Sequence, residues 1–524
     1  MKQNRHLMFF LSAVLTIAAS AAPPVPPDTY LSDSAAARFL DQSTWGTTPQ
    51  SIQTLKEMGL KQWFDWQFSS WDSDLPDQVL LNAAGNANTN LIPVQTAFLD
   101  NAITNQDQLR QRVAFALSQL WVVSQDTVTP AYAIPPYWRI FRENAFGNYR
   151  DVIRAVTVSP AMGRYLNMAN NNKANAAKGT SANENYAREM LQLFTLGLVQ
   201  LNPNGSPVVD KNGVPVPTYS ETTVTNLAKA LTGWTYPTAP GATPKNNNGV
   251  YYFGEMFPVA VNHDATAKTI FGDVSIPAGQ TADNDLNSVI DTLMAQPTMA
   301  PFISRQLIEH LVTSNPGPDY IQRVSEVFSD NGEGRSGDLR AVITAILLDP
   351  EARAGDDQPL DVTRNFGHLR EPILFISSLL RGLNATVTDV NTLYSRTSAL
   401  GQDIFRAPSV FSYFSPNFRT EGLVGPEFQI YSTQTSAKRN DYVYTAVFGT
   451  LDKGTAVDLS PFVEANSTPE HLLDLISGVF LHGAISPDLY AAARGAAVAN
   501  KASLDQVKAA LYVVLTSTEY QVIH

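Results

Sequence analysis

The run from Asn183 to Gly197 restricts the folds open to this chain more than any other segment. Wound as a helix, it puts Asn185, Arg188, Glu189 and Gln192 at i, i+3, i+4 and i+7, with Glu184 one turn before Arg188. Tyr186, Met190, Leu191, Leu193, Phe194 and Leu196 cover the rest of its surface. A helix apolar around most of its circumference has to be enclosed by other elements. Its polar stripe then faces either solvent or an internal polar site.

The surrounding sequence agrees with a helical architecture. Thr48-Pro49 is a capped start with proline at the first helical position, leading through Ile52, Leu55 and Leu60 towards Trp63. Periodic apolar positions predict further helices over Asp107 to Ser124, Pro136 to Phe146, Tyr149 to Val156 and Glu221 to Trp234. In the second half they fall over Asp285 to Ala295, Ala300 to Val312, Asp319 to Phe328, Leu339 to Leu348 and Leu369 to Leu383. Ser467 to Glu470 opens another helix as a capping box. Between residues 199 and 219 the pattern changes: Asn204-Gly205 and Asn212-Gly213 bracket a short extended segment, which predicts a small β-meander. Tyr251 to Phe253 reads as a short strand. The expected fold is all-α with that β-meander as an insertion. Leu339 to Arg353 and Val507 to Gln521 resemble each other, which suggests a duplicated helical unit in the C-terminal half.

The first residues read as an address. Lys2 and Arg5 precede an apolar run from Leu7 to Ala19, followed by small residues, so 1–21 is expected to be a signal peptide and 22–30 a Pro-rich leader. Residues 31–522 then form one large helical domain, with 31–260 and 261–522 as possible lobes. Export to a bacterial periplasm or the exterior follows, with no membrane span after signal removal. The absence of cysteine excludes disulfides, thiolate metal sites and cysteine nucleophiles. The net charge of −12, which becomes −14 once Lys2 and Arg5 are lost, disfavours nucleic acid as a partner. With 44% hydrophobic and 16% charged residues, the chain has the composition of a well-packed globule.

Several segments carry a family resemblance: Ala35 to Leu40, Glu184 to Gly197, Leu227 to Trp234, His263-Asp264 with Lys268-Thr269, Leu347 to Arg353, and His368 to Pro372. In this order they closely resemble the bacterial family known as domain of unknown function 1800, over roughly Leu31 to Val522. The resemblance implies a large, exported, mainly helical protein. It also implies a possible partner, because genes of this family often neighbour a second exported family related to sulfatases. It supplies no reaction.

Two groups of residues carry candidate chemistry. In the stripe, Glu184 and Arg188 are spaced for an ion pair and Asn185 can bond Glu189. Glu184 and Glu189 stand about 140° apart around the helix, so acid–base work by Glu189 needs a carboxylate from elsewhere, such as Asp264. The second group is His263-Asp264, able to act as a base with its neighbour or to ligate a divalent metal through His263, with Glu189 and His310 as further ligands. The plain alternatives are a polar network that fixes helix packing, and an Asp264 that caps a turn beside a hydrogen-bonded His263. Arg305 and Glu309 read as an ordinary i, i+4 pair, and Arg370-Glu371-Pro372 as structural. Phosphate-loop, dinucleotide and Gly-x-Ser-x-Gly motifs are missing from the sequence.

Two functions follow as expectations. One is an exported hydrolase acting on an extracellular polymer, a glycan by preference, with Glu189 and Asp264 in acid–base roles, Glu184 and Arg188 orienting them, and His263 as a candidate metal ligand. Trp63, Trp66, Trp71, Trp121, Tyr137, Trp138 and Trp234 could then line a sugar cleft, although each ring taken singly reads better as a core residue. The other is a non-catalytic envelope or secretion-associated protein that binds a partner such as the sulfatase-like exported protein. It would expose an apolar patch away from the stripe.

Overall fold

The computed structural model describes residues 31–524 except 273, 360–365, 388–392, 421 and 452–453. The signal peptide and Pro-rich leader expected over 1–30 lie outside the described residues. Helix accounts for about 51% of the chain, and the named strands form only short two-stranded sheets. No described helix is long and apolar enough to cross a membrane.

Local chemistry explains most helix starts. Thr48 and Ser220 cap Pro49–Ser69 and Glu221–Ala230 with capping boxes, and Thr468 caps Pro469–Leu481. The helix expected to continue to Gly197 ends earlier, as Asn185–Gln192. Thr195 Oγ1 donates to the Met190 carbonyl (2.6 Å), and the Gly197 amide donates to Leu191 (3.0 Å). Gly197 takes φ 75°, a left-handed stop that favours glycine. The helix expected from Leu369 begins instead at Pro372, because the residue before a proline is held extended. His368–Leu369 is freed to pair with Val522–Ile523 near the end of the chain. Tyr251 to Phe253 forms no strand; the pairing falls at Phe257–Pro258, against Trp234–Thr235.

The meander over 199–217 is present, held by isolated bridges such as Val199 to Pro217 and Val209 to Pro215. Pro207, Pro215 and Pro217 lack the amide that a continuous ladder needs. The two similar C-terminal segments correspond to Leu339–Leu348 and Ser503–Leu515, each packed on the helix before it.

One hydrophobic cluster runs from Ala36 to Ile523. Trp63, Trp121, Tyr137, Trp138 and Trp234 are buried in it, while Trp71 is about half exposed beneath the Arg110 guanidinium, 3.5 Å from its ring. Inside this core lies a charged clamp. Arg370 makes paired hydrogen bonds to Asp41 (2.7 and 2.6 Å), and His482 Nε2 donates to the same carboxylate (2.9 Å). Burial alone would push Asp41 up, but Arg370 and His482 hold it well below the usual carboxylate range. Burial pushes His482 down, so a neutral imidazole donates while Arg370 carries the balancing charge.

Truncating Asp41 strands a buried guanidinium. Asp41→Ala should cost about 3–5 kcal/mol of folding stability in urea denaturation. Because the folded pKa is lowered, the stability Asp41 contributes should be fully present above pH of about 4 and be lost only in stronger acid.

Candidate functional site

The polar stripe is tied largely to the protein surface. Arg188 forms a two-pronged pair with Glu221 (3.0 and 2.9 Å) and a longer contact to Glu184 (3.4 Å). Glu184 also accepts from Thr225 Oγ1 (2.8 Å). Glu189 is half-buried; desolvation pushes its carboxyl up, although Arg188 opposes this. Its charge acts on Tyr165 and Tyr219.

Asp264 is elsewhere. Its Oδ1 accepts from the amide and hydroxyl of Thr266 (3.0 and 2.6 Å), closing a turn, and its own amide donates to Thr232 Oγ1 (2.9 Å). No hydrogen bond or ion pair joins Asp264 to Glu189 among the described residues. His263 is buried, with Nδ1 donating to the Thr232 carbonyl (2.9 Å) and Nε2 3.2 Å from Asp285 Oδ2. That oxygen also takes the Lys268 ammonium at 2.7 Å. The His263 segment approaches closely because Gly233, at φ 91°, has no Cβ: one would stand 2.9 Å from that of His263. As a metal site this arrangement fits poorly. Lys268 already provides the cation Asp285 needs, and no group of three or more His, Asp or Glu converges to hold an ion among the described residues.

A different place brings ionisable groups to an open cleft of about 360 Å³. One wall is a face of the helix Met299–Leu311 carrying Phe302, Arg305, Gln306, Glu309 and His310, at i, i+3, i+4, i+7 and i+8. Its opposite face, Ile303, Leu307, Ile308 and Leu311, anchors in the core. Gln119 and Leu120 at the end of a second helix, Gln192 from the polar stripe, and Phe411, Phe414 and Glu427 complete the lining.

Electrostatics single out this cleft. The Glu309 side chain is 15% exposed and pairs with Arg305 (2.8 Å). Burial nevertheless pushes its carboxyl up, and the charge of Glu427 adds to the effect. Burial, with His368 and Arg112 nearby, pulls His310 down to about 3, so it is a neutral imidazole. Behind the surface, buried Glu371 accepts two bonds from Gln119 Nε2 (3.1 and 2.9 Å) and one from Gln402. Burial also raises Glu371, with Glu427 contributing. His368 Nδ1 lies 3.4 Å from Glu427 Oε1.

Buried polar atoms without hydrogen-bond partners gather here: Arg112 Nε and Nη1, Gln119 Oε1, both His368 ring nitrogens and Glu427 Oε2. Leaving one such group unpaired costs about 1–3 kcal/mol, so this cluster subtracts from the stability of the fold.

Sequence reasoning reached Glu309 and His310 but read the first as half of an ordinary ion pair, and it missed Gln119 and Glu427 altogether. These residues converge from segments far apart in the chain, and no spacing encodes that. The one available signal was Arg370-Glu371-Pro372, two charges set directly before a buried helix.

A family model described as "Protein of unknown function (DUF1800)" matches residues 38–522, and the chain belongs to that family. No curated protein and no solved structure matches the chain.

His310 sets a test of the cleft's electrostatics. Its folded pKa lies below its unfolded value, so below pH of about 6.5 the unfolded chain takes up a proton that the folded one refuses. Stability should fall by about 1.4 kcal/mol per pH unit from this residue. His310→Gln should remove about 2 kcal/mol of the loss between pH 6.5 and 5, read from urea midpoints at the two pH values.

Proposed function

We propose that this DUF1800 member is an exported hydrolase acting on an extracellular polymer, a glycan by preference, and that its acid–base chemistry takes place in the cleft beside Glu309. The observation that carries this reading is a mostly buried carboxyl, Glu309, pushed up by burial in the lining of an open cleft, with a second carboxylate, Glu427, acting on it. Pairs of carboxyl groups in unlike environments are the usual means of dividing acid from base at neutral pH.

In this scheme Glu309 is the proton donor. It protonates the leaving oxygen while water attacks the scissile centre and Glu427 takes the water's proton. Return of that proton to Glu309 through solvent restores both groups, so one water is consumed per bond cleaved. Neutral His310 bonds to substrate without adding charge. Phe302, Phe411 and Phe414 offer flat apolar surface, and Gln192 and Asn417 offer amides that can both donate and accept, a combination suited to sugar rings.

Glu189 keeps a claim as an alternative acid because burial raises its carboxyl too. A second reading, binding of a partner protein such as the sulfatase-like one, is favoured by the exposed apolar side chains of Leu198 and Phe411 on the cleft.

A panel of polysaccharides assayed for new reducing ends separates these readings. Glu309→Gln should lower the rate by 10²-fold or more with the melting temperature kept, as expected for loss of a general acid. Glu189→Gln should have little effect. Equal losses in both variants would move the chemistry to the stripe. No turnover on any polymer, together with partner capture lost in Leu198→Ser, would favour the binding reading.

A further inference from the structure

Trp63 and Trp66, candidates for sugar stacking by sequence, both stand in the wall of an open cavity of about 470 Å³. It is separate from the Glu309 cleft, and the two share no lining residue. The helix Pro49–Ser69 supplies one side, from its cap at Thr48 along to Gln67, and the turn from Thr104 to Gln108 supplies another. Among the described residues Arg381 is the one charged side chain in this lining.

Arg381 is fixed in advance of any ligand. From the last turn of the helix Pro372–Gly382 it donates through Nε to the Gly46 carbonyl (2.8 Å) and through Nη1 to the Ile103 carbonyl (2.7 Å). Gly46 comes this close because it has no side chain: at φ 129° a Cβ there would stand 2.4 Å from Ser378 Cα, one turn before Arg381.

Those bonds use two of five N–H groups, and neither partner carries a charge. Burial pulls Arg381 down to about 10 with no carboxylate opposing it, so it is a cation at neutral pH without a counter-ion among the described residues. Nη2 makes no hydrogen bond among those residues, yet it is not one of the polar atoms sealed from solvent. The unspent end of the guanidinium is therefore open to a molecule in the cavity. Thr48, Gln50 and Ser51 bring the start of Pro49–Ser69 to the same space, and the positive end of its backbone dipole adds to the field. A partly buried cation with no counter-ion is unfavourable, and a bound anion offsets that.

The other walls describe the body of the ligand. Trp66 is half-buried and offers indole surface, while Gln50, Thr54 and Gln106 bring amides and a hydroxyl to the lining. None of these carries charge, so the body is neutral, with an apolar face and hydroxyl groups, as a sugar ring has.

We propose that this cavity binds a uronic acid unit, its carboxylate on the Arg381 guanidinium and its ring against Trp66. The site rests on no part of the Glu309 chemistry, so either can fail without the other.

Calorimetric titration of the mature protein with glucuronate, glucose and acetate provides the test. Glucuronate is expected to bind saturably, at least tenfold more tightly than glucose or acetate. Arg381→Ala should weaken it about tenfold or more. That variant also loses the bonds to Gly46 and Ile103, so Gln106→Glu, at an exposed position, provides a second arm: its added negative charge should weaken glucuronate about threefold or more. Trp66→Ala should also weaken it, and Glu309→Gln should leave it unchanged. Glucose binding as tightly as glucuronate would overturn the Arg381 contact, and acetate binding as tightly would overturn the sugar ring, as would unaltered binding in Trp66→Ala. Unaltered binding in Gln106→Glu or in folded Arg381→Ala, or no glucuronate binding at all, would overturn the site. Loss of binding in Glu309→Gln would overturn it too, by moving the ligand to the cleft.

Discussion

The Arg370 guanidinium is the interaction on which the rest of this structure depends. Within one buried side chain it binds Asp41 from the first described helix, donates through Nε to the Tyr520 carbonyl (2.8 Å), and lies over the Tyr520 ring at 4.9 Å. Its backbone carbonyl accepts from Arg439 (2.8 Å), and its amide donates to Gln521 (2.7 Å). Segments near both ends of the described chain therefore meet at one residue. A lysine could not reproduce this, because the two-pronged contact and the ring stacking both need a planar fork. Buried ion pairs of this kind add little net stability over an apolar filling but penalise every misdocked alternative, since each would leave a charge stranded.

The clamp also builds the cleft. His368 precedes Arg370 by two residues and faces Glu427; Glu371 follows it and holds Gln119 and Gln402. The short strand that ties in the end of the chain thus delivers the polar floor beneath Glu309 and His310. Pro372 makes the arrangement possible by delaying the helix, so that His368, Arg370 and Glu371 can serve different neighbours. Stability and site share a backbone segment here, and a change at Arg370 would be felt in both.

Much of the helical fold was legible from the sequence because periodicity and caps are local. The Thr48-Pro49 start, the helix Leu339–Leu348 at its expected bounds, and the two Asn-Gly turns of the meander follow from residues a few positions apart. The misreadings share a cause. Leu369 looked helical because it is apolar and precedes a helix, and only its pairing with Val522, far along the chain, makes it a strand. Leu193 to Gly197 continued the apolar pattern, but Thr195 and Gly197 turn the backbone away. The candidate cleft was still less legible. Arg305 and Glu309 have the spacing of any surface pair, and nothing local reveals that Glu427 stands close enough to raise the carboxyl.

Two buried clusters of similar composition show how packing separates scaffold from candidate chemistry. Around Asp285 the charge is answered at short range through one oxygen: Lys268 bonds Oδ2 directly and is itself bonded to the Thr266 carbonyl (2.8 Å), while Asp285 Oδ1 and His263 Nε2 lack hydrogen-bond partners. Around Arg112 the same kinds of residue leave several polar atoms unanswered, and they do so beside an opening to solvent. The stripe helix Asn185–Gln192 reaches this cleft through Gln192, while at its other end Asn185 is bonded to Asn167. Its outward ion pair with Glu221 fixes the rotation of the helix about its own axis, and with it the face that presents Gln192 to the cleft.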